Sequence, residues 1–508
     1  MAIEGDSIQF GPWYGGVNYA LAPEDCESDQ VSSMENCRIG LGGYVEKRLG
    51  SAKYEDYAAL GSTPTVVMAS EYRIPNGNTY KVIIAGGKIY YDNGSAWTDI
   101  SAALTISSSS DDHVWDWVRA HNVLVMTNGV NPAIAWTGSG NASTITMPGS
   151  ATWAKFVGYW DDRLWLAHTN ANDDRVWYSD KGTLDTFGST SFYNMGSPVT
   201  AMQPFQGANV IHTEEGIWTL TPTGNAQVPY QKVPKTQQSD QSQGIGGSVS
   251  NRAVISLPDN RQLFILPGGI YEWAGSETVE KISQALDDGY WPNITTSRLP
   301  QAHAIYYPVQ NEVWFWLPYG STTMNQVMVY NTELKVWYGP YTNIPRNCSC
   351  IIDNKPHGGS YGGILYDQAP TSATAYSDDG SAIPAFFTTS GEAPEGGDSR
   401  VRWQYGRVYY DNVGAYEVTV TQELSDAAGE SNVLETSSGA VALGAFTLGV
   451  STLGTVRMQS DDIELSGYDP HSTLKFANNT VNENFKIRRV YQQYKQIGRK
   501  RKISKESD

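Results

Sequence analysis

Residues 253–275 read AVISLPDNRQLFILPGGIYEWAG. Three short apolar runs are separated by Asp259-Asn260 and Gly268-Gly269, residue types that accept the positive backbone angles of a tight hairpin. The stretch therefore predicts three antiparallel strands within 23 residues, the last carrying aromatic side chains and running into another turn.

This aromatic-strand-plus-turn unit recurs along the chain. Its markers are Tyr90 in KIYYDNG, Trp136 in AIAWTGSG, Trp177 in RVWYSDKG, Trp218 in GIWTLTPTG, Tyr271 in GIYEWAG, Tyr330 in VMVYNTE and Tyr366 in GILYDQ. Successive spacings are 46, 41, 41, 53, 59 and 36 residues, the length of one four-stranded propeller blade, on the order of 40 to 50 residues. WAKFVGYWDDRLWLAHT supplies two strands around Asp161-Asp162, and AIYYPVQNEVWFWLP and QVMVYNTELKVWYGPY each read as a hairpin. The polar loop at 235–248 accounts for the 53-residue spacing. A lone four-stranded sheet leaves both faces wet, whereas blades stacked around an axis bury them against each other. Turn spacing alone is also compatible with a β-sandwich; the repeat favours a six- or seven-bladed β-propeller.

After about residue 370 the pattern changes. The Gly/Glu/Pro/Asp-rich end of TSATAYSDDGSAIPAFFTTSGEAPEGGDSR marks a boundary, and runs such as AYEVTVTQEL and STLKFANNT follow. The alternation Tyr416-Val418-Val420 predicts a small antiparallel sandwich. The expected layout is all-β: an extended N-terminal assembly segment (1–60), a propeller (61–370), a C-terminal β-rich platform (371–498) and a basic tail (499–508).

Composition agrees. Charged residues make up 17% and aromatics 12%, with 50 glycines, the vocabulary of short strands and turns rather than long helices. The start, MAIEGDSIQFGPW, lacks the basic and apolar regions of a secretory signal, and no apolar run approaches membrane-span length. Four cysteines, Cys26, Cys37, Cys348 and Cys350, are too few for a disulfide scaffold and wrongly spaced for a zinc clip, which predicts free thiols.

Little in the sequence points to catalysis. Asp92-x-Gly94-x-x-Trp97 resembles the Asp box of sialidase-type propellers, with Tyr90 where Ser or Thr is usual. That box is a hairpin turn and catalyses nothing. Arginines are sparse where a sialidase needs a cluster. The acidic doublets 111–112, 161–162, 173–174, 287–288 and 461–462 sit in turn-like or strand contexts, where neighbouring carboxylates face water or opposite sides. The seven histidines show no metal spacing, and Gly244-Ile-Gly-Gly247 lacks the Lys-Ser/Thr of a phosphate loop. The reading is of a non-enzyme with no catalytic residues, cofactor or metal.

Charge is informative. The net charge is −18, but residues 486–508 hold nine Lys/Arg against two acids. Arg499, Lys500, Arg501 and Lys502 are the candidate contact for DNA phosphates or an acidic partner.

The first fifty residues carry a resemblance. Gly15-Gly16-Val17-Asn18, then Glu35-Asn36-Cys37, Gly42-Gly43 and Glu46-Lys47-Arg48-Leu49-Gly50 resemble the opening of short-tailed bacteriophage tail proteins: the tail nozzle, tail tubular protein B and packaged-DNA stabilisation family. Leu49 stands where proline is more usual, and there is no room for the fibre-docking insertions of longer relatives. The resemblance implies a structural virion protein of the tail, assembled in the host cytoplasm as a homohexameric ring below the portal and adaptor. It would contact tail fibre or needle proteins, insert in no membrane, pass double-stranded DNA non-specifically and retain the genome until ejection. Loops 235–248 and 435–455 are then candidates for the constriction or for subunit contacts. The alternative is a carbohydrate-binding propeller that stacks host glycans on exposed Trp and Tyr.

Overall fold

The computed structural model describes residues 6–74, 77–102, 104–107, 114–237, 246–371, 375–391, 393–394, 399–425, 428–436 and 458–499. Seven four-stranded antiparallel sheets follow one another through 66–367. Their innermost strands are Val66–Arg73, Asp116–Ala120, Ala154–Trp160, Val199–Phe205, Ile255–Ser256, His303–Tyr307 and Cys348–Ile352. Each lies against the next, with a single 3-10 turn at Asn251–Ala253 bridging the fourth to the fifth, and the seventh packs against the first. The ring is a seven-bladed propeller.

Six blades contribute four consecutive strands each, but the seventh supplies only three. Its outer strand is Ala52–Lys53, which pairs with Leu365–Asp367 through Lys53 opposite Tyr366 and Ala52 opposite Asp367. The chain thus enters the last blade before it builds the first, and the ring is closed by pairing across the whole propeller.

Side-chain size follows the wedge between blades. Near the axis the inner strands bury Ala69, Ala154, Ala201 and Ala304. Farther out, where the gap widens, aromatics fill it. Tyr72, Tyr80 and Trp136 cluster between blades 1 and 2, and Trp165, Tyr178, Tyr193 and Tyr230 between blades 3 and 4. The turn residues behave as their chemistry requires. Asp161 and Asp162 both take positive φ (51° and 58°), the geometry of a two-residue hairpin, and Asn260 takes 64°.

Residues 16–47 and 385–499 build two further sheets. One orders Cys37–Ile39, Val45–Lys47, Lys486–Arg499, Ser399–Asp411 and Met458–Glu464, with Asp6–Phe10 also paired to Lys486–Arg499. The other orders Gly16–Val17, Gln30–Glu35, Ala385–Thr389, Thr473–Asn478, Tyr416–Glu423 and Ala428–Thr436. Trp13, Phe387, Phe476 and Phe485 pack together in the core, with Phe387 stacked on Phe476 at 4.9 Å and met edge-on by Trp13 at 5.2 Å. Val418 and Val420 are fully buried, as their alternation predicts. The segment expected as an assembly arm is therefore divided: its strands up to Lys47 belong to the C-terminal sheets, and Ala52–Lys53 belongs to the propeller. The loops at 235–248 and 435–455 fall mainly outside the described residues.

One node joins the two units. Asn36, at φ 52°, donates from Nδ2 to Thr342 Oγ1 and Pro384 O, both at 2.8 Å, and its Oδ1 accepts from Arg48 Nε at 2.7 Å. Arg48 reaches Asp378 at 2.6 Å and Thr342 O at 3.0 Å. Nearby, Arg38 pairs with Glu312 and Glu46, both at 2.7 Å, and Glu312 also accepts from Trp314 Nε1. The Arg48 and Asp378 side chains are 3% and 12% exposed, so Arg48 has almost no access to bulk water and Asp378 little. Arg48→Met should lower unfolding free energy by ~3–5 kcal/mol, because Asp378 stays buried without its cation. Urea denaturation should show a lower midpoint at an unchanged slope.

Candidate functional site

The structure gives the sequence motifs definite places. Asp92 ends the third strand of blade 1, and its carboxylate accepts from Tyr54 Oη at 2.7 Å, Tyr57 Oη at 2.8 Å and the Gly94 amide at 2.7 Å. Trp97 packs on the same two tyrosines. The Asp-box-like turn thus ties the segment after the closing strand to the first blade.

Two of the acidic doublets are likewise engaged in structural contacts, and in a third Asp287 pairs with Lys281 at 2.6 Å. Asp161 accepts from Tyr230 Oη and pairs with Lys181, while Asp162 accepts from Tyr159 Oη. Asp461 accepts from Tyr410, and Asp462 pairs with Arg407. Doublet 111–112 lies outside the described residues. Among the described residues no group of three His, Cys, Asp or Glu is placed to hold a metal ion. All four cysteines are free and buried.

The basic cluster divides. Lys486 and Arg488 pair with Asp411, Lys486 also reaches Glu46, and Arg489 lies over Tyr409. Arg499 is the last residue of the long terminal strand, opposite Ser399. Lys500, Arg501 and Lys502 lie outside the described residues.

One concavity of the structure carries no signature in the sequence. It is an axial cavity of about 380 Å³, lined by residues of six of the seven inner strands. Its charged lining residues are Asp116 on the inner strand of blade 2 and Arg252 in the turn before blade 5. Asp116 accepts from the Trp117 amide at 2.9 Å and the Val157 amide at 2.8 Å, with Asn251 as a side-chain donor. Burial outweighs those donors and pushes its carboxyl up to about 7. Arg252 donates to Asn347 O at 3.0 Å and Gln301 O at 2.6 Å, and its buried Nε has no hydrogen-bond partner. His303 sits between Ser349 Oγ at 2.7 Å and Arg346 O at 3.0 Å. Burial holds it neutral, so Nε2–H donates to the carbonyl and Nδ1 accepts from the serine. Cys348 and Cys350 line the same cavity, and burial keeps both as thiols. No short motif could have announced this site, because its two charges are 136 positions apart and meet only when the ring closes.

No family model and no curated protein matches the chain. Solved structures do. One described as YCF48 bound to D1 peptide is 14% identical over 63% of this chain and 97% of that one, with a TM-score of 0.40. The WD40 β-propeller domain of Doa1 is 8% identical over 64% and 97%, at 0.39. BamB from Moraxella catarrhalis is 9% identical over 63% and 96%, at 0.36. The blade count rests on this chain's own strand pairing.

Asp116 makes a pH prediction. Its folded-state pKa of about 7 lies above that of an ordinary carboxyl, so the protonated form favours the fold. That contribution is fully present below about pH 4 and lost as pH rises through about 7. Relative to Asp116→Asn, the wild type should therefore lose a few kcal/mol of stability across this window. Parallel urea titrations of the two proteins check the sign, since all other groups cancel in the difference.

Proposed function

We propose that the chain is a structural protein of a short-tailed phage tail, a nozzle subunit that assembles as a hexameric ring below the portal and adaptor and conducts and retains DNA. The observation that carries this reading is that the residues bearing the N-terminal resemblance act as one structural unit. Gly16, at φ 73°, leaves no room for a side chain: a Cβ there would lie 2.7 Å from Val336 Cβ and 2.8 Å from Trp337 O. Asn36 and Arg48 make the node between sandwich and propeller. Lys47 is fully buried, donates to Asn478 Oδ1 at 3.0 Å and Thr480 O at 3.1 Å, and is pushed down to about 8 by burial. Gly50 packs with its Cα side against Ser377, where a Cβ would meet the backbone at 1.9 Å. A motif of this kind specifies how a platform and a propeller are fixed together, which is what a ring subunit under axial load requires.

The acidic body supports the same reading. With 26 basic and 51 acidic residues in 1–485, most surfaces repel phosphate, and a duplex sliding past a repulsive wall meets little of the salt-dependent friction that cationic contacts create. The glycan-binding alternative rests on exposed aromatic surface. None of the 16 tryptophans is exposed, and the exposed aromatic rings among the described residues are Tyr14 and Tyr468, 45% and 59% accessible.

Negative-stain imaging of the purified chain, alone and mixed with a portal–adaptor complex, tests the proposal. Sixfold rings, free or seated on the connector, are the expected result. A chain that stays monomeric and ignores the connector while binding an oligosaccharide would reverse it.

A further inference from the structure

The axial cavity has no part in ring assembly or DNA passage as proposed above, yet its chemistry is specific. At about 380 Å³ it falls in the range of small-molecule pockets, on the order of 300–1,000 Å³. Its walls combine apolar and aromatic side chains, Trp115, Trp117, Val254, Ile305 and Ile351 among them, with a polar share of nearly equal surface. Into this setting the fold brings one guanidinium that no carboxylate neutralises by contact. The Nη atoms of Arg252 donate to two main-chain carbonyls, and its Nε–H is buried and unused. Asp116, the acid of the same lining, is held by the Trp117 and Val157 amides and makes no ion pair with Arg252, although the two act on each other electrostatically. A buried cation without a counter-ion is costly, and a bound anion removes that cost.

We propose that the axial cavity is a binding site for a small organic carboxylate, a monoanion with an apolar body, held at Arg252. The charge count selects the class. One cation in an apolar pocket balances one negative charge, whereas a phosphate dianion would leave the second charge unpaired in low dielectric. The apolar walls favour a hydrocarbon or aromatic body over a bare inorganic ion.

Asp116 makes the affinity depend on pH. The groups facing it are Arg252 and Asn251 from the turn before blade 5, and Lys155 lies on the adjoining inner strand of blade 3, opposed by Glu214. His303 stays neutral, and Cys348 and Cys350 stay thiols. Ionisation of Asp116 alone therefore places a competing negative charge in the cavity as the solution passes neutrality.

Isothermal titration calorimetry of the full chain at fixed ionic strength, with benzoate as the probe and inorganic phosphate as the comparison, tests the assignment. Saturable one-to-one benzoate binding is expected, with phosphate at least about tenfold weaker and benzoate affinity lower at about pH 8 than at about pH 6. Arg252→Gln should lose about tenfold or more in affinity. Asp116→Asn should bind as the wild type does at the lower pH and show no fall at the higher. Should Arg252→Gln not fold, Val67→Trp, which fills the cavity and leaves Arg252 in place, should abolish binding. Absence of saturable benzoate binding, unchanged affinity in Arg252→Gln or Val67→Trp, or tighter binding of phosphate would each overturn the proposal.

Discussion

The node of Asn36, Arg48 and Asp378 is the constraint on which the rest of the molecule depends. Arg48 is the last side chain of the sandwich segment to be pinned before the chain enters Ala52–Lys53, the strand that closes the propeller. Its guanidinium contacts three parts of the chain at once: Asn36 near the N-terminus, Thr342 after blade 6 and Asp378 after blade 7. A two-residue strand has too little hydrogen bonding to hold its own register, so its position is imposed from outside. The ion pair supplies that position, and closure of the ring follows from it. Because burial removes water as an alternative partner, the pair is more valuable as a locator than as a source of net stability.

Closure in turn determines what lies on the axis. The inner strands of blades 1 and 7 pack against each other, and Ala52–Lys53 completes the last sheet at its outer edge. The cavity lining is drawn from both sides of that junction, with Met68 and Ala69 on one side and Cys348 and Cys350 on the other. The placement of Arg252 against Asn347 O and Gln301 O is likewise a product of neighbouring blades rather than of local sequence.

The propeller was legible because its physics repeats. All seven aromatic markers, from Tyr90 to Tyr366, lie on the third strand of successive blades. That is the radius at which the wedge between blades is wide enough to need a Trp or Tyr, so the same demand returns once per blade. The 53-residue spacing was traced to a polar loop, while the 59-residue one has a different origin: three 3-10 segments, Gln284–Leu286, Trp291–Asn293 and Thr296–Gln301, stand between blades 5 and 6. Short 3-10 turns carry no periodic apolar signature. The N-terminal strands were illegible for a related reason. Gln30–Glu35 pairs with Ala385–Thr389, and a contact between residues some 350 positions apart leaves no trace in the spacing of either segment. The cavity shares this property, since Asp116 and Arg252 look like any acid and any base until the ring sets them in one chamber.

The fate of the C-terminal cations shows why charge counted along a sequence and charge presented by a fold differ. Lys486 and Arg488 belong to the same run as Arg499, yet Glu46 and Asp411 hold them in the sheet, where Lys486 ties Val45–Lys47 and Arg488 ties Ser399–Asp411 to the terminal strand. Their charge is neutralised locally and contributes little to any long-range field. The nine cations counted from 486 onward therefore overstate what that end can offer a polyanion, and the opposing count of acids is reduced by the same pairs. An electrostatic role for this end must rest on cations other than these paired ones.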